Sequence, residues 1–270
     1  MENQNIIPVI SYSCHIHEYR EGEQFVPIHS IGVVLSGSIL LNDGRKKTVF
    51  KKGELYAIRK NHLLKYIKYP PAVGDFKAIT ISFDEEMLRG FSMEYGYKSE
   101  KRNPSPAYAK LPQSKVISGF IRSLMEYEEL LNSISITDIL RLKQKEALLL
   151  LLKHDPSQKE ILFDFSDPYK LDLETFMDRN FHFNVNLDKF AYLTGRSLAT
   201  FKRDFQKVFN TSPRNWLQQR RLQEAHRLIT EKGQTASNIY LDLGFEDLSH
   251  FSYAFKKHFG YPPKELSRIN

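Results

Sequence analysis

The chain has 270 residues, 41% hydrophobic and 26% charged, with a formal net charge of +7 and one cysteine. That balance excludes a disordered chain, and a lone thiol, Cys14, excludes an internal disulfide or a thiolate zinc site. No stretch approaches the roughly 20 apolar residues of a membrane helix, and the start, MENQNIIPVISYS, has no basic segment ahead of a long apolar core, so a soluble cytoplasmic protein without membrane contact is expected.

Residues 6–84 read as short strands. The segments 31–36, 39–42, 47–50, 54–59, 63–69 and 76–83 are rich in β-branched and aromatic residues, and Ser36-Gly37, Asp43-Gly44, Lys52-Gly53 and Pro70-Pro71 separate them as turns. Many short strands with little helix between them predict an antiparallel barrel or jelly roll. From Ser114 the period becomes helical. Ile117, Phe120, Ile121, Leu124 and Leu131 form one apolar face, assigned here to pairing of two chains. A second helix over 135–154 ends in the run Ala147 to Leu152, apolar on every side and so covered by the barrel, its neighbour helix or another subunit. Residues 155–172, with Pro156 and Pro168, read as a linker bearing one sticky patch, Ile161 to Phe165.

The last hundred residues carry one pattern twice. Phe201, Phe205 and Phe209 recur fifty positions on as Phe251, Phe255 and Phe259, which indicates one supersecondary unit built twice. Rings spaced by four lie along one helix stripe, so each set is a buried face with the opposite face free. That free face is basic: Lys202, Arg203 and Lys207 in the first copy, Lys256, Lys257 and His258 in the second. Helices are expected over 173–180, 187–193 and 197–209, the last with Ser197 as N-cap after Thr194-Gly195. Pro213 opens a long helix to about Lys232, with Trp216, Leu217, Leu222, Ala225 and Leu228 inward. A second helix-turn-helix follows: Ala236 to Leu243, Gly244, then a helix to Phe259, and a last short helix starts at Pro262. The connecting helix spans about 30 Å at 1.5 Å per residue, close to the ~34 Å between successive major-groove segments on one side of B-DNA.

The fold expected is therefore α+β. A cupin-like antiparallel barrel (1–112) is followed by a helical dimerisation segment (113–155), a linker (156–171) and an all-α domain (172–270) of about seven helices holding two helix-turn-helix units.

Residues 173–268 resemble the DNA-binding domain of the AraC/XylS family of bacterial transcription regulators. The resemblance rests on Gly244-Phe245 ahead of Ser249-His250-Phe251-Ser252, on Phe255-Lys256-Lys257, Phe259-Gly260 and Pro262-Pro263, and on Arg221-Leu222 with Ala225 in the linking helix. It implies an activator that binds double-stranded DNA, works with RNA polymerase and pairs as a homodimer. It also implies a barrel that answers either a small-molecule effector or a protein partner. The DNA-facing positions it implies are Ser197, Ala199, Thr200, Lys202, Arg203 and Lys207 in the first recognition helix, with Arg203 as a bidentate reader of guanine. In the second they are Leu248, Ser249, His250, Ser252, Tyr253, Lys256 and Lys257. Here the chain departs from the family pattern, which often has Arg where Tyr253 stands and Ala where Tyr240 stands, so Lys256 and Lys257 are read as phosphate contacts.

A small barrel suits a ligand, and Tyr12, Phe25, Tyr56, Tyr66 and Phe83 are the rings placed to line one, although aromatic residues at strand spacing also make plain core. His15, His17, His29 and His62, with Glu23, raise the alternative of a metal-dependent cupin enzyme or sugar sensor. The carboxylates Glu18 and Glu21 are out of register for a cupin metal motif, so no metal and no cofactor is expected. No nucleophile elbow, phosphate loop or dinucleotide fingerprint appears, so no catalytic residue is assigned.

Overall fold

The computed structural model describes residues 8–20, 24–101, 106–127 and 137–266. Two compact units divide the chain: residues 1–21 with 26–166, and residues 22–25 with 167–270.

The strands, all in the first unit apart from Phe25 of β3, are β1 (Ile10–His15), β2 (Tyr19–Arg20), β3 (Phe25–Val26), β4 (His29–Ser36), β5 (Ser38–Asn42), β6 (Lys47–Lys51), β7 (Leu55–Ile58), β8 (His62–Leu63), β9 (Lys65–Tyr69), β10 (Phe76–Phe83) and β11 (Tyr108–Leu111). They form a five-stranded sheet in the order β1-β10-β4-β7-β11, a four-stranded sheet β2-β9-β5-β6 and a ribbon β3-β8. All the pairings described in the two large sheets are antiparallel. The expected segment 63–69 is two strands, β8 and β9, and β11 had no counterpart in the sequence reading.

Alternation decides what each sheet face meets. Val34, Tyr56, Phe76 and Ala78 of the five-stranded sheet bury against Ile39, Leu41 and Phe50 of the four-stranded one. Their neighbours Val33, Leu55, Ala57, Ile79, Ile81 and Phe83 point the other way, into a second core closed by helices. Those helices are α1 (Glu85–Tyr95), α2 (Lys115–Met125) and α3 (Thr137–His154), followed by a 3-10 turn (Pro156–Gln158) and α4 (Lys159–Leu162).

This second core changes two expectations and decides a third, which partner covers the apolar run of α3. Phe120 and Leu124 of α2 are buried in it, with Ile117 and Ile121 packed against it, so this face lies against the chain's own sheet and not on another chain. Leu131 lies outside the described residues. The apolar run of α3 is covered within the unit: Ala147, Leu148, Leu151 and Leu152 are buried there, and Gln144, also buried, donates through Nε2 to the carbonyl of Ser82 on β10. The sticky patch 161–165 is likewise not free linker. Leu162 and Phe163 are buried, and Phe163 stacks on Tyr97 at 5.7 Å, which folds this stretch into the first unit.

The second unit has the seven helices expected among the described residues: α5 (Leu173–Asn180), α6 (Leu187–Leu193), α7 (Leu198–Phe209), α8 (Pro213–Lys232), α9 (Ala236–Ile239), α10 (Leu248–Phe259) and α11 (Pro263–Leu266). Each stops where its chemistry says. Ser197 and Asp247 cap α7 and α10 by accepting from the N–H of Thr200 and His250. Asn210, Gly233 and Gly260 end α7, α8 and α10 in the left-handed conformation. Helix α9 is one turn, shorter than the expected 236–243.

Arg221, midway along α8, ties this unit together. Its Nε donates to the carbonyl of Phe181 at 2.7 Å, one terminal nitrogen to that of Gly244 at 2.8 Å and the other to that of Phe183 at 2.8 Å. Burial lowers its pKa to about 10, so it stays charged at neutral pH. Gly244 sits at φ 86, and a Cβ there would lie 2.8 Å from the His182 carbonyl oxygen and 2.9 Å from the Arg221 guanidinium carbon, so no other residue fits. Arg221→Met keeps the stem and leaves three carbonyls without their donor. It should destabilise this unit by about 3 kcal/mol or more. Urea unfolding followed through Trp216, the single tryptophan, reads that directly; an unchanged midpoint would show the three bonds to be dispensable.

Candidate nucleic-acid interface

Each recognition helix is anchored by its aromatic stripe. Phe201 and Phe205 of α7 and Phe251 and Phe255 of α10 are fully buried, with Phe209 and Phe259 partly so. The linking helix serves both stripes, one at each end. Trp216 packs on Phe209 with ring centroids 4.8 Å apart, and His226, ten residues on, packs on Phe259 at 4.9 Å. His226 Nε2 also shares a hydrogen bond with the Tyr261 hydroxyl at 3.1 Å. Dispersion and apolar burial along each stripe set the roll of each helix, and therefore which side chains are turned out.

Most of the side chains expected to face DNA are exposed. Ser197, Ala199, Lys202, Arg203 and Lys207 are exposed and Thr200 is half-buried. On α10, Leu248, Ser249, His250, Tyr253, Lys256 and Lys257 are exposed and Ser252 is half-buried. Tyr253 is the most open large hydrophobic side chain of that helix, 68% exposed. Arg203 is held only loosely, 3.8 Å from Asp204, and its side chain is 66% exposed. Lys202 and Lys256 make no ion pair among the described residues.

The turn between α6 and α7 has its own clamp. Arg196, its side chain only 7% exposed, bonds Asp204 Oδ2 at 3.1 Å and the carbonyls of Leu171 and Thr194 at 3.0 and 2.8 Å. The hydrogen bond from Arg196, reinforced by Lys170 and Arg203, holds the Asp204 carboxyl below the usual range. Gly195 at φ 64 leaves space that a Cβ would lose, 2.6 Å from the Tyr169 carbonyl carbon. Neither Arg196 nor Arg221 was singled out as a positioning residue from sequence. For Arg221 a signal exists: a cation four residues from both Leu217 and Ala225 sits in the apolar register of α8 and needs buried acceptors. For Arg196 the spacing carries none.

The rings expected to line the barrel are not together. Tyr56 is buried between the two sheets, with Tyr66 packed against the same core. Tyr12 and Phe83 lie on the opposite face of the five-stranded sheet, because their strand positions have the other parity. Phe25 falls in the segment that groups with the second unit. Of the histidines weighed as metal ligands, His15 stacks on Tyr19, His29 is buried, and His62 Nδ1 bonds the Lys60 carbonyl; Glu21 and Glu23 lie outside the described residues. Among the described residues no three His, Cys, Asp or Glu side chains gather as a metal cluster, and no helix is long and apolar enough to cross a membrane.

Comparison with known proteins places both units. Residues 29–165, half of the chain, match the ExsA N-terminal regulatory domain, and residues 190–269 match a helix-turn-helix domain. The HTH-type transcriptional regulator ExsA of Pseudomonas aeruginosa is 26% identical over 261 residues, covering 93% of this chain and 90% of that one. The virulence regulon transcriptional activator VirF of Yersinia enterocolitica is 34% identical over 93 residues, 34% of each chain. A solved structure of apo ToxT from Vibrio cholerae aligns over 97% of this chain and 98% of that one, with 12% identity and a TM-score of 0.47. With a regulatory domain of the ExsA kind leading into twin helix-turn-helix units, this chain belongs to the AraC/XylS family of DNA-binding transcription regulators.

Proposed function

We propose that the protein is a sequence-specific activator that lays α7 and α10 into successive major-groove segments of double-stranded DNA. The observation that carries this reading is the duplicated face: two capped helices, each buried along one phenylalanine stripe and cationic on the other side, joined by one 20-residue helix. A rigid spacer of about 30 Å suits adjacent turns of a duplex. The faces are not equivalent. On α7 Arg203 has the fork that matches guanine O6 and N7, with Lys202 beside it; on α10 the base-facing positions Ser249, His250 and Tyr253 carry no fixed charge, and Lys256 and Lys257 serve the phosphates.

Activation, the function named for VirF and for the RhaS relatives, brings RNA polymerase as a partner of the DNA-bound protein. The N-terminal unit receives the input. Pairing of two chains falls to the side chains that α2 and α3 leave outside, Val116, Met125, Ile139 and Leu142, since the face first assigned to it packs on the sheet.

Arg203→Ala should cost about 1 to 3 kcal/mol on the cognate site and relax discrimination at one base pair. A titration showing the same loss on random DNA would remove its base contact. Lys256→Ala should weaken all sequences alike and reduce the slope of log K against log salt by about one; an unchanged slope would take it off the phosphates. Leu142→Glu, at a position 67% exposed, should shift sedimentation toward monomer without altering the melting profile, and an unshifted dimer would place the pairing surface elsewhere.

A further inference from the structure

Two cavities in the first unit share a wall. One lies between the helix-covered face of the five-stranded sheet and helices α2 and α3, an apolar cleft enclosing about 580 Å³, part of it open to solvent. Leu55, Ile79 and Ile81 of the sheet and Ile121, Leu124 and Leu150 of the helices line it, and His154 and Asp155 are its only ionisable lining groups among the described residues. The second is much smaller, with about 250 Å³ of free space only when open solvent is counted in; Ile31 and Leu151 line both, and His29, Arg59 and Gln158 bound it.

The polar end holds two buried donors. His29 and Arg59 are 3% and 6% exposed. The backbone N–H of Lys60 donates to His29 Nδ1 at 3.4 Å, which leaves the imidazole proton on Nε2. Burial, with Lys60, Arg59 and His62 adding repulsion, drives the His29 pKa down to about 3, so the ring is neutral. His29 Nε2 and Arg59 Nε are both buried with no hydrogen-bond partner among the described residues. Two orphaned N–H donors on one small cavity call for an oxygen acceptor.

Local charge selects the kind of acceptor. Arg59 feels the carboxylate of Asp155, and Lys60 pairs with Glu85 at 3.1 Å. Each of these two cations already has a carboxylate near it, so a buried carboxylate or phosphate would carry its desolvation cost without a cation of its own. A neutral carbonyl oxygen satisfies both donors without that penalty.

We propose that the two adjoining cavities form one binding site for a neutral amphipathic carbonyl compound, an ester, amide or ketone. Its oxygen accepts from His29 and Arg59, and its apolar body lies between the sheet and α2 and α3. The site rests on the reading that the N-terminal unit takes an input, and it gives that input a place beneath the helices whose outer sides are offered to a second chain.

Calorimetric titration of the full chain tests it, with methyl decanoate, decanamide, decanoate and decylammonium as four heads on one tail. The ester and amide should bind about tenfold or more tightly than decanoate, and decylammonium, which offers only donors, should not bind. Arg59→Met should abolish the head preference, and Leu150→Trp should fill the cleft and abolish uptake of every probe. Melting of each unliganded variant reports whether it is folded, and His29→Phe carries the same test as Arg59→Met if that variant is not. Equal affinity for all four heads, no binding of any, or a preference that survives Arg59→Met would overturn the proposal; with no binding, ordered water is what satisfies the two donors. A footprint on the same preparation separates the two readings. Protected DNA without probe binding removes this site alone, whereas probe binding without protected DNA removes the activator reading and leaves the site.

Discussion

Three backbone carbonyls converging on one buried guanidinium hold the DNA-binding unit in register. Arg221 on α8 gathers Phe181 and Phe183, which follow α5, and Gly244, in the turn of the second helix-turn-helix unit. Charge-assisted bonds in a low dielectric are strong and directional, and leaving any of the three acceptors bare is expensive. The linking helix therefore does more than set a distance. It also fixes the rotation of the second helix-turn-helix, because the turn that launches α10 is bonded to it.

The repeat is structural as well as sequential, and its two halves have diverged in chemistry. Trp216 and His226 stand in equivalent relation to Phe209 and Phe259, so α8 is gripped in a similar way at both ends. The first copy adds a clamp of its own, Arg196 to Asp204, within the turn that aims α7. The second aims α10 through Asp247 and Gly244 instead. An Arg-bearing face on one helix and a mainly neutral face with lysines toward its end on the other suit unequal shares of base reading and backbone grip.

In the N-terminal unit the five-stranded sheet works on both faces. One closes on the smaller sheet through Val34, Tyr56, Phe76 and Ala78; the other supports α2 and α3 through Val33, Leu55, Ile79 and Ile81. A helical segment whose apolar side is seated on the sheet cannot use that side to pair with another molecule. Any change in how the helices sit on the sheet is passed to their outer faces, since a close-packed interior transmits displacement rather than absorbing it.

Local chemistry was legible in the residues: strand and helix periods, Ser197 as a helix cap, Pro213 as the start of α8 with Lys232 as its end, Phe259 as the end of α10, and the duplicated phenylalanine stripe with its basic reverse side. Helix α1 was less so. Only Leu88 and Phe91 are buried along it, too short a stripe to stand out, although Asp84 caps it and Gly96 ends it. The sequence by itself determined which side chains share a face, because periods of 2 and 3.6 are properties of the backbone. Only the tertiary structure decided what each face meets: Phe83 and Tyr12 toward the helices, the α2 stripe against the sheet, and Arg221 onto three distant carbonyls. Periodicity is local, whereas the identity of a covering partner depends on contacts between residues far apart in the chain.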